Sequence, residues 1–558
     1  MNILFAASEC DPFVKTGGLA DVIGALPIEL ARQGADLRVA LPKYRIIDEY
    51  WKSRMEYLCH FELLFGWESR YCGVETLLHN GVRYYFIDNE DFFSADNIYG
   101  DGLKEGLRFA FFCRAVLEML PRIGFFPAVL HCHDWQTGLI PAMLKTQYRG
   151  RAGYDDVKAV FSIHNLQYQG LFDWRKLNGW LGFEEWLFSP EYLEFYGGIS
   201  CMKGGLVFAD WLCTVSPRYA EEIKMPYYGE LLDGLLRARA AQLSGILNGI
   251  DTVIYDPGTD RFLQDHYTAA ELSGKALCKA ALQKACGLKE APSTPVIGFV
   301  ARLSHQKGLA LIERVLDDIM RLDVQLVFLG SGEKRFEDML HWASWRYGNR
   351  VYARIGLDEG LAHRIYAGAD MFLMPSQYEP CGLSQMISLR YGTVPIVRET
   401  GGLADSVQPY NQYTDEGTGF SFANYNAHEM LSTIERAIAC YHDAAAVWRR
   451  LQARGMAADY SWTHAAKEYL RLYDGLFSGV DEDAAPKASQ QDGEAARHAK
   501  AAKTAKAAPK TPKVADSPKS DTAATPAAKT AKAASKTPKA EPTNPGGNPA
   551  KKQDKKDP

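Results

Sequence analysis

The hexapeptide Thr-Gly-Gly-Leu-Ala-Asp occurs twice in this chain, at Thr16–Asp21 and at Thr400–Asp405. The first copy follows the apolar run Ile3–Ser8, the second follows Val394–Val397, and each leads into residues at helical spacing. After the first copy, Leu19, Val22, Ile23, Leu26 and Leu30 form one helix stripe, and Gly34 stands where that helix would end. Asp36–Leu41, closed by Pro42, then reads as a second strand. A glycine turn between a strand and a helix gathers backbone N–H groups at the positive end of the helix dipole, which suits an anion. Glycines there allow close approach of a ligand. Lys15, Gly17 and Gly18 lie in the first turn, and Thr400 and Gly401 in the second. Two such units predict two similar α/β halves facing one ligand.

The 558 residues suffice for two or three domains at ~150 residues each. A hydrophobic fraction of 47% supports a large core in the body. Charge is unevenly spread. Residues 495–558 carry 15 Lys/Arg against 5 Asp/Glu, leaving 48 basic and 63 acidic residues elsewhere. The 11 cysteines are scattered singly without a C-x-x-C, which argues against a disulfide scaffold or a zinc site and for a reducing compartment. No basic leader precedes the first apolar run, and no stretch approaches the ~20 apolar residues of a membrane span. The expectation is a cytoplasmic protein without a membrane partner.

Along the chain, Val129–Cys132 reads as a strand ending in His133-Asp134-Trp135, and Val157–Ile163 as one ending in His164-Asn165. Trp211–Val215 is a third, followed by Ser216-Pro217. Ligands of open α/β sheets bind beyond the carboxyl ends of the strands, so Lys15, Asp134 and His164 are expected on one rim. Leu247–Asp251 reads as a crossover into a second domain. There Val296–Val300 ends in Ala301-Arg302-Leu303, and Lys307-Gly308 begins a helix with apolar Leu309, Ile312, Leu316 and Ile319. Val324–Leu329 ends in Gly330-Ser331-Gly332, and Met371–Met374 leads to Glu379-Pro380-Cys381-Gly382-Leu383. Ser461 is the expected N-cap of a last helix that packs through Trp462, Tyr469, Tyr473 and Leu476. The expected domains are residues 1–250 and 251–460, with 461–480 a closing helix on the first. From Asp481 onward there is no aromatic residue, Leu, Ile or Met, and Ala501–Lys513 returns at Ala527–Lys539 with twelve of thirteen positions matched. Such a tail cannot bury enough apolar surface to fold alone, and disorder is expected for residues 481–558.

Lys15 flanks the turn in the first half, Arg302 and Lys307 the turn in the second. Two half-domains that each offer amides and fixed cations suit a pyrophosphate held between them. Glu379, at a strand end, can accept hydrogen bonds from sugar hydroxyls, while Cys381 reads as a small packed residue. His131-x-His133-Asp134 puts two histidines on one strand face, but further metal ligands are missing from the pattern. Neither a metal nor an organic cofactor is expected.

These residues resemble the bacterial glycogen synthase and plant starch synthase family over about residues 1–478. The resemblance rests on Lys15–Val22, His133–Gly138, His164–Gly170, Asn248–Asp251, Arg302–Gly308, Glu379–Leu383 and Thr400–Asp405. It implies an α/β fold of two Rossmann-like domains facing across a cleft, the GT-B type. It further implies transfer of glucose from ADP-glucose to the 4-hydroxyl at the non-reducing end of an α-1,4-glucan such as glycogen, with retention and without a metal. By the same resemblance, Lys15 contacts the nucleotide sugar, Arg302 and Lys307 neutralise the departing diphosphate, Glu379 holds glucose hydroxyls, and His164 lies beside the sugar. Asp21, Asp134, Asn165 and Asn248 line the cleft, with Tyr99, Gly17, Gly18, Cys381, Gly382, Leu383, Thr400 and Gly401 also in the substrate site. Ile387 stands where many related retaining transferases carry a second glutamate, so no ribose contact is assigned there. A catalytically silent glucan-binding protein is the competing reading, and the presence of Lys15, His164, Arg302, Lys307 and Glu379 counts against it. The basic tail lies outside the family pattern. Its spaced lysines suit weak, salt-sensitive contact with polyanions such as nucleic acid, against the alternative of an extension with no specific partner.

Overall fold

The computed structural model of the chain describes residues 1–100 and 102–478. The expected disordered tail, residues 481–558, lies outside the described residues. Apolar runs flanked by glycine turns form two large sheets. The first has the strand order Leu243–Gly245, Trp211–Thr214, Lys158–Ile163, Val129–His133, Asn2–Ala6, Asp36–Pro42, Val82–Asp88, Glu68–His79 and Glu56–Phe65. Its strands pair parallel except for the last two junctions, where the hairpin Glu56–Phe65/Glu68–His79 and its contact with Val82–Asp88 are antiparallel. The second sheet is parallel throughout, in the order Val351–Ile355, Gln325–Gly330, Val296–Val300, Met371–Met374, Val394–Arg398, Phe420–Phe422.

In both sheets a strand central in the order, Asn2–Ala6 or Val296–Val300, opens its half of the chain, as expected of doubly wound units. Asn2–Ala6 is buried on both faces beyond its first residue, which explains its unbroken apolar run. In the second sheet the two faces serve different cores. Val296 and Val327 join the large cluster that also fills the first half. Ile297, Phe299, Leu326 and Phe328 point the other way, into a separate cluster with Leu316, Phe336 and Trp448.

The halves are connected twice, and the two connections lie side by side. Ile250 donates to the Tyr460 carbonyl at 2.8 Å and pairs with Ser461 in a parallel bridge. Gly249 allows this approach, since a Cβ there would stand 2.6 Å from the Trp462 amide nitrogen. The helix Trp462–Gly475 then packs on the helix Gly18–Arg32 of the first half and buries Trp462, Tyr469 and Tyr473. Ser461 occupies the expected cap position, but its side chain makes no capping bond. Among the described residues no helix is long and apolar enough to cross a membrane.

Candidate active site

The first glycine turn is organised by a residue that its sequence pattern does not reveal. Glu9, just beyond the first strand and 3% exposed, accepts from the Thr16 amide at 2.6 Å, the Thr16 hydroxyl at 2.9 Å and the Gly17 amide at 3.1 Å. The Tyr99 hydroxyl donates to its other oxygen at 2.8 Å and lies 2.9 Å from Ser8 Oγ. The anion at this turn is therefore the chain's own carboxylate. Gly17 and Tyr99 support the turn through Glu9 and do not offer these polar groups to a ligand. Gly18 differs, because a Cβ there would meet nothing within 4 Å. Lys15 is exposed beside it, 2.5 Å from Asp21 Oδ1.

The second turn also receives a glutamate, but from the opposite half. Glu222, at the end of the helix Pro217–Glu222 and 3% exposed, accepts from the Thr400 hydroxyl and the Gly401 amide, both at 3.0 Å. Asp405, in the same hexapeptide, accepts from the Arg218 amide at 2.8 Å. Thr400 and Gly401 are thus buried, and the Thr400 hydroxyl and Gly401 amide are bound to Glu222 of the other half. Gly401, at φ +45°, also needs to be glycine for packing, since a Cβ would come within 2.0 Å of the Glu379 carbonyl oxygen.

At the carboxyl ends of the first sheet, Asp134 sits at φ +57°, a left-handed conformation uncommon outside glycine. Its Oδ1 accepts from the His164 amide at 2.7 Å and the Asn165 amide at 3.3 Å, which ties two neighbouring strand ends together. Burial pushes the Asp134 carboxyl up to about 7, with those two amides opposing the shift. His164 Nε2 lies 2.9 Å from His133 Nδ1, and burial pushes the His164 imidazole down to about 3, so the ring is neutral near pH 7. His131 and His133 do not form a metal pair. The ring nitrogens of His131 meet Tyr473 and Ser162, and His133 Nδ1 meets His164.

Across from these strand ends, Lys307 Nζ bridges both oxygens of Glu379 at 2.8 and 2.6 Å, and Ser376 Oγ donates to Glu379 Oε2 at 2.9 Å. Gly308, at φ +77°, lets the Lys307 turn close on Pro375, whose carbonyl oxygen a Cβ would approach to 2.0 Å. Arg302 Nη1 reaches the hydroxyl of Tyr168, in the loop after His164, at 3.5 Å, and Tyr378 donates to Gln167. These two contacts bring the Arg302/Lys307/Glu379 group to the Asp134/His164/Asn165 group. Asn248 and Cys381 meet through the Asn248 amide and the Cys381 sulfur. Burial pushes that thiol up to about 12, so it is not a nucleophile. Gly382, at φ +74°, and the half-buried Leu383 complete the turn.

Residues 2–238 match the starch synthase catalytic domain model, and residues 287–450 match glycosyl transferases group 1. A glycogen synthase of Geobacillus thermodenitrificans is 54% identical over 476 residues, spanning 85% of this chain and 98% of that protein. The chain belongs to the glycogen synthase family. A second family member, from Desulforamulus reducens, is 52% identical across 86% of this chain and 100% of its own length. Among solved structures, the catalytic domain of starch synthase IV from Arabidopsis thaliana, bound to ADP and acarbose, superimposes with a TM-score of 0.79. It is 33% identical over 85% of this chain and 99% of that one. The sucrose-phosphate synthase of Thermosynechococcus elongatus, 18% identical with a TM-score of 0.56, shares the fold. As a family member the chain is a glycosyltransferase of the GT-B class.

The buried Asp134 gives this site a pH signature. From the ordinary carboxylate range near 4 up to about 7, the folded chain keeps a proton that the unfolded chain has released. Its contribution to stability therefore falls as pH rises through that window and is level above it. Asp134→Asn keeps an acceptor for both amides and has no proton to release. The variant is expected to gain stability relative to the parent between about pH 4 and about pH 7. Urea midpoints of both proteins across that range check this, and a constant difference would remove the assigned shift.

Proposed function

We propose that this chain extends an α-1,4-glucan by moving glucose from ADP-glucose to the 4-hydroxyl at its non-reducing end, with retention. The observation that carries this reading is the Lys307–Glu379 pair, with Arg302 shortly before it in the chain and in contact with Tyr168 of the loop that follows His164 and Asn165. Departing ADP develops negative charge, and Arg302 and Lys307 supply fixed positive charge where it develops. Lys15 and Gly18, open at the first turn, reach the nucleotide sugar from the other half. Glu379, oriented by Ser376 and Lys307, holds glucose hydroxyls, and His164 lies beside the sugar. Asp21, Asn165 and Asn248 line the cleft. In this reading residues 1–250 receive the glucan, 251–460 hold the nucleotide sugar, and 461–480 close the chain back on the first part. That the Arabidopsis relative was solved with ADP supports the adenine nucleotide as donor.

The decisive assay is release of ADP from ADP-glucose with glycogen as acceptor, run beside UDP-glucose and with a chelator. Preference for UDP-glucose would overturn the donor. Full loss of activity in chelator, restored by a divalent ion, would overturn a reaction that relies on the protein's own cations. For the tail we propose weak, salt-sensitive polyanion contact that plays no part in catalysis. A chain ending at Val480 is expected to keep full glucan synthesis and to lose retention on DNA at low salt. Loss of synthesis would make the tail part of the enzyme, and equal retention of both chains would end the polyanion reading.

A further inference from the structure

Three histidine rings lie in a row under the rim. His131 and His133, two apart on one strand, stack with centroids 4.2 Å apart and planes at 29°. His131 is fully used: Nδ1 lies 2.7 Å from the Tyr473 hydroxyl on the last helix, and Nε2 lies 2.7 Å from Ser162 Oγ. His133 is used on one side only. Its Nδ1 lies 2.9 Å from His164 Nε2, while its Nε2 is buried without a hydrogen-bond partner among the described residues.

We propose that His133 is a positioning residue that fixes the tautomer of His164, so that His164 presents a permanent Nδ1–H donor to the cleft. The argument is a count of protons. Burial keeps all three rings neutral near pH 7, so each carries one proton. The 2.9 Å contact between two ring nitrogens needs one donor and one acceptor. If His164 donated from Nε2, His133 would have to accept at Nδ1 and carry its own proton on Nε2. That would leave a buried N–H with no acceptor, the rarest kind of unsatisfied group. If His133 donates from Nδ1, its Nε2 is a bare lone pair, and His164 Nε2 accepts. The His164 proton then sits on Nδ1, which has no protein partner among the described residues, on a half-buried ring at the cleft rim. In this state His164 donates to a substrate oxygen and cannot act as a base from Nδ1. The role rests on the reading of His164 as a sugar-side residue given above.

The test uses the full chain. In the ring-nitrogen NMR spectrum of ¹⁵N-histidine-labelled protein, His164, identified by its loss in His164→Ala, is expected as the Nδ1–H tautomer. An Nε2–H signal would overturn the proposal, whatever the enzyme's donor proves to be. In kinetics, His133→Leu is expected to lower kcat by about tenfold to a hundredfold, the value of one well-placed hydrogen bond, with little change in the KM for the nucleotide sugar. His133→Asn, whose amide N–H stands near the position of Nδ1, is expected to recover most of that loss. In a His164→Ala background, His133→Leu is expected to cost no more than about twofold further. An undiminished cost in that background, or no recovery with asparagine, would make His133 a packing residue only. If wild-type protein shows no transfer from ADP-glucose, the donor assignment fails while the nitrogen spectrum still decides the tautomer.

Discussion

Lys307→Ala is expected to lower kcat by a factor on the order of 10²–10³, with glycogen binding nearly unchanged. The ammonium has two tasks in the geometry. In the proposed reaction it stabilises the charge that the departing diphosphate gains, and in the structure it bridges both oxygens of Glu379, whose side chain is only 7% exposed. Removing it takes away the charge stabilisation and two charge-assisted bonds that orient the carboxylate, with the Ser376 hydroxyl still attached. Arg302→Ala should act in the same direction through the first task alone, since its contact is with Tyr168 across the cleft. Steady-state kinetics with ADP-glucose varied at saturating glycogen, beside a glycogen co-sedimentation assay, separates rate from acceptor binding. A near-normal kcat in Lys307→Ala would contradict the leaving-group role.

Glu222→Ala should cost stability on the order of 2–6 kcal/mol, a large part of what usually holds a domain together. The carboxylate is buried and accepts from two groups of the other half, the Thr400 hydroxyl and the Gly401 amide, while Arg218 Nε lies 3.2 Å from it. Truncation leaves both donors buried without an acceptor, and each such group costs about 1–3 kcal/mol. Glu222→Gln keeps one acceptor oxygen and should lose less. Denaturant midpoints of the three proteins rank the effects, and an alanine variant as stable as the parent would mean that the interface does not depend on this contact.

The parallel sheets were legible because their strands are short apolar runs that end at glycine, proline or polar turns. Val296–Val300 and Met371–Met374 have the expected bounds, and the other expected strands shift by a residue or two at their ends, while Val82–Asp88, Leu243–Gly245, Val351–Ile355 and Phe420–Phe422 join the sheets without a strand being expected there. The antiparallel addition Glu56–Phe65/Glu68–His79 was not foreseen. Its strands alternate incompletely and leave Leu58, Leu64, Tyr71 and Leu78 exposed, so no clean period marks them. At the site, Lys307 and Glu379 were marked by their turns, and the structure pairs them. Glu9 and Glu222 were not, because a single glutamate after a strand or inside a short helix looks like a solvated charge until the fold closes over it. The two copies of the hexapeptide also differ in a way that the repeat itself does not show: the first binds Glu9 of its own half, the second Glu222 of the other.

The return of the last helix sets an order of events for a chain made from its first residue onward. Tyr473 completes the hydrogen bonds of His131, on whose ring His133 stacks, and the whole second sheet lies between these residues in sequence. A growing chain can pair the strands of its first sheet long before that tyrosine exists. Until it is added, the ring under His133 lacks one of its partners, and Trp462, Tyr469 and Tyr473 are not yet there to cover the helix Gly18–Arg32. The first half, though synthesised first, is finished last, so a partly made chain carries the residues of the cleft without the support that aligns them.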